Sequence, residues 1–214
     1  YGDPLGLKGS WEGLVEYIDE EASCRTQTIS KNAQWFEDHS PVDPRFKKPV
    51  VKGVSANVIC AAMLGGDEYP ATAIGINLPN ADWIRAQYGS KSITISNITD
   101  AYNKAAHGNG FKEEFVIDAE TLALIEKYGD VCDDLHTDLH ECLGHGSGQL
   151  LPGVSPDALK AYSSTIEEAR ADLFGLYYIA DAKLIELGLV PDAEAYKSQY
   201  YTYMMNGLMT QLIR

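Results

Sequence analysis

The sequence predicts an α+β fold that is mainly α-helical, and three observations carry that prediction. Apolar residues recur at helical spacing over most of the chain. Val/Ile/Thr-rich runs broken by Gly and Pro are confined to about residues 50–96, and helical periodicity returns after Ile98. With 214 residues and 45% hydrophobic content, the chain can bury one core or a core and a half, which bounds it to one or two domains.

Each element has a local reason. Tyr1-Gly2-Asp3-Pro4-Leu5-Gly6 reads as a turn. Ser10 can cap a helix over about residues 10–22, because Trp11, Leu14, Val15 and Ile18 fall on one helical face. A second helix is expected from about Ala22 to Phe36, ended by the loop that holds Pro41 and Pro44. Short strands and turns follow from Val50 to about Ser96, punctuated by Gly65-Gly66, Pro70, Pro79 and Gly89. Further helices are expected at about 118–127, 130–146, 165–187 and 192–213. The aromatic and methionine run from Tyr200 to Met209 has helical spacing and reads as core.

Charge narrows the function classes. Net charge is -14, from 31 acidic against 17 basic residues, with no Lys/Arg stripe to track a phosphate backbone, so nucleic acid is not an expected partner. Such a chain attracts cations. No run of about 18–20 apolar residues is present, so no membrane association is expected. Cys24, Cys60, Cys132 and Cys142 form no CxxC pair, which points to free thiols in a reducing compartment and to a cytoplasmic location. The chain opens on Tyr1 and stops soon after an apolar run, and it therefore reads as a piece of a longer protein.

The chemistry is concentrated in His136-Thr137-Asp138-Leu139-His140-Glu141-Cys142-Leu143-Gly144-His145-Gly146. In the zinc-protease pattern HExxH the histidines are one turn apart, at i and i+4, and reach one metal. Here His140 and His145 are at i and i+5, which in a regular helix turns the second side chain by about 140° from the first. One extra residue taken up as a π-bulge restores a shared face, and Gly144 offers the backbone freedom for it. His136 and His140, at i and i+4, form a rival pair that needs no bulge. Cys142 reads as a small packed hydrophobe rather than a ligand.

A further ligand is expected in Thr165-Ile166-Glu167-Glu168-Ala169-Arg170-Ala171-Asp172-Leu173. Ile166, Leu173, Leu176 and Tyr177 read as the buried face of that helix, with Glu168 and Asp172 one turn apart beside it. Carboxylates so placed need a partner, and a metal with its histidines supplies one: one carboxylate binds the ion while another accepts the free ring N–H. The bland alternative is a solvated acidic face paired with Arg170.

At these residues the sequence resembles the dipeptidyl peptidase III family of zinc exopeptidases. The family signatures HExxGH and EExR[AG][ED] stand here, complete, as His140-Glu141-Cys142-Leu143-Gly144-His145 and Glu167-Glu168-Ala169-Arg170-Ala171-Asp172. The resemblance extends through His145-Gly146-Ser147-Gly148-Gln149-Leu150, Asn77-Leu78-Pro79-Asn80 and Tyr1-Gly2-Asp3-Pro4, so it covers essentially the whole chain as the central segment of longer proteins.

The resemblance implies that His140, His145 and Glu168 bind one zinc ion and that Glu141 is the catalytic carboxylate. It also implies that Glu167 and Asp172 accept from the ligand histidines, and that Asn77 and Asn80 hold the N-terminal part of an oligopeptide substrate. As residues alone, Asn77 and Asn80 around Pro79 are ordinary turn formers. The implied fold has a zinc-bearing helical lobe and a small β-containing segment belonging to a second lobe. This divides the chain into 1–60 (helical lobe, first part), 61–105 (strand-containing segment of the opposite lobe) and 106–214 (helical catalytic lobe). The implied activity is release of dipeptides from oligopeptide N-termini; family pocket residues outside the chain make the isolated piece a poor catalyst by expectation.

The residue types suit such chemistry by themselves. Two histidines and a glutamate leave an open zinc position for water, and Glu141 beside a ligand can take its proton. The same set also serves a zinc hydrolase of another amide or ester, or a binding module with an idle metal.

Overall fold

In the computed structural model, which describes residues 12–52, 54–66, 73–78, 84, 87–89 and 91–211, the first element is a strand. Strand β1 (Glu12–Ile18) replaces the helix expected over 10–22. Val15, Tyr17 and Ile18 are β-branched or aromatic and suit a pleated ribbon, and pairing with the next strand overrides the short helical pattern. The helix starts later, at Asp19, whose carboxylate accepts from Ala22 N at 3.0 Å and caps α1 (Glu20–Lys31). α2 (Ala33–His39) follows a break at Asn32, so the expected 22–36 helix is two helices. The turn at residues 1–6 and the cap at Ser10 lie outside the described residues.

Strands β2 (Ser55–Gly66), β3 (Gly75–Leu78) and β4 (Lys91–Ile95) fall in the strand-like region and join β1 in a mixed sheet of order β1-β2-β4-β3. β1 runs antiparallel to β2, β2 parallel to β4, and β4 antiparallel to β3. Period two sets the face that matters. Gly75 pairs with Thr94 and Asn77 with Ser92, so four small or polar residues share one side of the β3–β4 edge.

α3 (Ser96–Ala106) and α4 (Phe111–Phe115) lead to α5 (Ala119–Leu139), capped by Asp118 and running unbroken through Gly129 where two helices are expected. A π turn (His140–Gly144) continues it. α6 (Ser163–Ile179) ends before α7 (Ala182–Glu186), which Asp181 caps, so the expected 165–187 helix is broken. α8 (Ala195–Asn206) runs into a second π turn (Gly207–Gln211). The architecture is α+β and mainly helical. No described helix is long and apolar enough to cross a membrane.

The core gathers Ile29 and Phe36 from α1 and α2, Leu135 and Leu139 from α5, Cys142 and Leu143 from the π turn, and Phe174 and Tyr178 from α6. Tyr178 is fully buried and its hydroxyl donates to Phe36 O, satisfying a polar group that would otherwise cost about 1–3 kcal/mol. Two core expectations are corrected. On α6 the buried side chains are Ala171, Phe174, Gly175, Tyr178 and Ile179, while Ile166, Leu173 and Tyr177 are exposed. On α8 the buried residues are Ala195, Ser198 and Gln199, whereas Tyr200, Tyr201, Tyr203 and Met204, with Leu208 in the π turn beyond, are partly exposed. On α6 the buried stripe is offset by one position from the expected one, with Phe174, Tyr178 and Ile179 filling it beside Ala171 and Gly175, whereas on α8 the buried positions are small or polar.

Candidate metal centre

The i, i+5 spacing of the two histidines is reconciled by a widened turn. His145 N–H bonds His140 O at 3.0 Å, five residues back, and the turn His140–Gly144 is a π turn inserted at the end of α5. Gly144 serves a different purpose from the one expected. It is not among the residues of positive φ; a Cβ there would lie 2.7 Å from Ala171 Cα. Its missing side chain lets the turn press against α6, and that contact brings the acidic residues of α6 to the histidines.

Three donor atoms meet there. His140 Nε2 lies 3.1 Å from His145 Nε2 and 3.3 Å from Glu168 Oε2, and His145 Nε2 lies 3.7 Å from Glu168 Oε2. A tetrahedral ion holding nitrogen and oxygen donors at about 2.0–2.1 Å keeps them about 3.3–3.4 Å apart, and the three separations straddle that value. The donor set therefore fits zinc. Glu168 is well exposed, at 61%, so one side of the cluster is open to solvent.

The other ring nitrogens are tied down. His140 Nδ1 donates to Asp172 Oδ1 at 2.8 Å and His145 Nδ1 donates to Glu167 Oε1 at 3.0 Å. A carboxylate only accepts, so each Nδ1 carries its proton and each Nε2 keeps a lone pair for an electrophile. Two lone pairs and a carboxylate at such range repel unless a cation or proton lies between them. Arg170 donates to Glu167 at 2.7 and 2.9 Å, and Tyr203 OH donates to Asp172 Oδ2 at 2.8 Å.

The electrostatics agree with this arrangement. Burial raises Asp172, but hydrogen bonds from His136, His140 and Tyr203 outweigh it and hold the carboxyl well below its usual range. For Glu167 burial also pushes up, and His145 and Arg170 bring it down to about 2. Burial lowers His140, yet its bond to Asp172 and the nearby Glu141, Asp172 and Glu168 charges raise it on balance. A field that favours a proton on that ring favours a cation in its place.

Glu141 is buried and offers a carboxylate oxygen within 4.8 Å of donor atoms of His140 and His145. It packs over β3, where a Cβ on Gly75 would fall 2.5 Å from its Oε1. His136, the rival ligand, also has a donor atom grouped with His140 and Asp172. Its ring is engaged on both sides, Nε2 with Asp172 Oδ1 at 3.4 Å and Nδ1 with Gln199 Nε2 at 3.2 Å, and it stacks on Tyr203. Cys142 is 1% exposed and packed in the core.

Asn77 is brought to the same place: its Nδ2 donates to Ser92 Oγ at 2.7 Å and to Glu141 O at 3.1 Å, and its buried Oδ1 has no partner among the described residues. Asn80 lies outside the described residues. Sequence reasoning missed Tyr203, Gln199 and Ser92. Tyr203 and Gln199 sit in or beside a run that reads as core, and only Ser92 left a trace, in the alternating Lys91-Ser92-Ile93-Thr94-Ile95.

A helix end widened around two histidines, with carboxylates of a second helix behind them and a buried glutamate beside them, makes a candidate metal centre. Comparison with known proteins narrows this. The sequence model described as peptidase family M49 matches residues 1–160, and the chain belongs to that family. It is 28% identical over 239 residues to dipeptidyl peptidase 3 of Dictyostelium discoideum, an alignment covering 94% of this chain and 32% of that protein. Among solved structures it resembles dipeptidyl-peptidase III from Corallococcus sp. strain EGB with TM-score 0.75 and 26% identity, covering 91% of this chain and 36% of the other. DPP III from Caldithrix abyssi gives TM-score 0.69 at 26% identity, covering 90% and 37%. The chain thus spans about a third of the length of these relatives.

Proposed function

We propose that this chain carries the zinc site and general base of a peptidase that releases dipeptides from the N-termini of oligopeptides. The observation that carries the reading is the convergence of His140 Nε2, His145 Nε2 and Glu168 Oε2 within 3.1–3.7 Å of one another. His140, His145 and Glu168 are the proposed ligands of one zinc ion, Glu167 and Asp172 their supports. When bound, zinc supplies Lewis-acid polarisation of a scissile carbonyl and lowers the pKa of water towards about 7.

The chain's own residues supply the rest. Glu141 takes the proton of the attacking water at a carboxylate oxygen and passes it to the leaving amine, which needs a carboxylate beside the ligands and outside their set. Asp172 and Glu167 keep both histidines in the tautomer that leaves Nε2 basic. The Oδ1 of Asn77, without a partner among the described residues, is an acceptor for an N–H of the substrate's N-terminal part, and Asn80 is the proposed companion.

Dipeptide specificity and the division into 1–60, 61–105 and 106–214 extend the same reading, supported by the family signatures, and a cytoplasmic location is proposed from the free thiols of Cys24, Cys60, Cys132 and Cys142. The test is paired. The intact protein is expected to bind one zinc per chain, with binding lost in His140→Ala, His145→Ala and Glu168→Ala, and to cleave free dipeptidyl naphthylamides while sparing N-blocked ones. Cleavage of N-blocked substrates at equal rate overturns dipeptide release; full zinc content in the three variants overturns the ligand set.

A further inference from the structure

Widening a helix leaves a carbonyl behind. In an uninterrupted α-helix His145 N–H would bond Glu141 O, four residues back; here it bonds His140 O instead, so that bond to Glu141 O is not made. A buried backbone carbonyl without a donor is costly, so the π turn is favoured where something else donates. The donors come from the sheet. Ser92 Oγ donates to Glu141 O at 2.9 Å and Asn77 Nδ2 at 3.1 Å, with Asn77 Nδ2 also donating to Ser92 Oγ.

Register explains why the sheet can do this. Ser92 and Thr94 alternate with Ile93 and Ile95, so both hydroxyls face the helix, and Thr94 Oγ1 donates to Asp138 Oδ1 at 3.0 Å one turn earlier. On β3, Asn77 and Gly75 take the paired positions. Glu141 is therefore held at both ends: its carbonyl by Ser92 and Asn77, its carboxylate over Gly75, where any side chain would intrude. Ser92 is 2% exposed, so its hydroxyl is shielded from water.

We infer that Ser92 is a positioning residue: it holds the widened turn open by replacing the lost intrahelical bond, and thereby fixes Glu141 for proton transfer. This rests on the peptidase reading for its kinetic consequence, but not for its structural one. The experiment therefore has two readouts on the intact protein. Hydrogen–deuterium exchange over residues 139–147 is measured on the metal-free protein, and kcat and KM for a dipeptidyl naphthylamide on the zinc-loaded one.

Ser92→Ala is expected to speed exchange in 139–147 at least tenfold with the thermal midpoint held within a few degrees. It is also expected to lower kcat about tenfold or more, with KM within about twofold, on the scale of losing a support around a metal site. Ser92→Thr, which keeps the hydroxyl, is expected to recover most of both. Unchanged exchange in Ser92→Ala overturns the brace, as does a kcat loss that Ser92→Thr shares in full. If Ser92→Ala does not fold, Ser92→Cys, a weaker donor of similar shape, takes its place, and wild-type exchange there overturns the proposal. A wild-type protein that binds zinc but hydrolyses no peptide overturns the peptidase reading, while the exchange result still decides the role of Ser92.

Discussion

Gly144 has no room for a side chain, because its Cβ would sit 2.7 Å from both Ala171 Cα and Cβ. Neither neighbour is the end of a flexible side chain, so Gly144→Ala must push the π turn off α6. An overpacked contact of this kind costs about 1–3 kcal/mol, and the expected result is a lower urea midpoint together with weaker zinc binding; an unchanged midpoint would show that the turn can give way. Glu141 has the opposite profile. Glu141→Gln keeps the shape and is expected to leave zinc content intact while lowering turnover by several orders of magnitude, measured as kcat beside metal analysis. Zinc lost together with turnover would make Glu141 a ligand. The spacing of His140 and His145 was enough to anticipate a widened turn, because i, i+5 conflicts with the helical period. The purpose of Gly144 was not legible, since the surface it meets belongs to a helix some 27 positions later.

At the scale of elements, α6 is the scaffold of the site. It presents Glu167, Glu168 and Asp172 to the π turn through the small residues Ala171 and Gly175, the latter with the His136 ring 3.4 Å from where its Cβ would be. The acidic signature was legible as a set of partners for histidines, but the buried face was not: Leu173 and Tyr177 stand next in sequence to the buried Phe174 and Tyr178, and only the close approach at Ala171 and Gly175 selects between the two pairs. The helix also sets an acid sensitivity. Glu167 falls from its ordinary 4.5 to about 2 in the folded protein, against its own burial, through His145 and Arg170. A carboxyl with a depressed folded pKa stabilises the fold above its unfolded pKa and loses that contribution as pH falls towards the folded value. Stability of the metal-free protein is therefore expected to drop between about pH 4.5 and 2, and Glu167→Gln to flatten that slope. The carboxylate is about a third exposed, so screening holds the difference to about 1 kcal/mol. Urea midpoints at pH 5, 4 and 3 for both proteins measure it, and parallel slopes would count against the pairing.

For the molecule as a whole, the thiols report how the core is built. Cys132 donates to Ala195 O at 3.2 Å across the α5–α8 contact, and burial, with the charges of Asp133 and Asp192, pushes its thiol to about 12. Cys142 is buried in the π turn and likewise raised, with burial the chief cause. Cys24 is exposed. Alkylation of the native protein at pH 8 is expected to label Cys24 and to spare Cys132 and Cys142 until denaturant is added; early labelling of Cys132 would mean that α8 detaches readily. The helical majority and the strand region were legible from periodicity and from Gly and Pro. β1 was not, because a short run with Val15, Tyr17 and Ile18 all exposed carries no alternation to mark a strand, and only its pairing with β2 makes it one.

The extra residue in the π turn also sets the rotational phase of the downstream loop. Residues after Gly144 sit about 100° from where an unbroken helix would carry them, and in that phase Ser147 Oγ accepts from Arg170 Nη1 at 2.8 Å and Gly148 N–H reaches Glu37 at 3.0 Å. Deleting Leu143 would restore the plain HExxH period and leave both imidazoles within reach of one ion. It would also rotate the loop out of register with α2 and α6 and hand Glu141 O an N–H of its own helix, leaving the Ser92 hydroxyl and the Asn77 amide facing a carbonyl already taken. Such a deletant is expected to keep measurable zinc affinity yet lose protection from proteolysis after residue 145, so that the number of residues between the histidines is fixed less by the metal than by the loop that must leave the helix in the right direction.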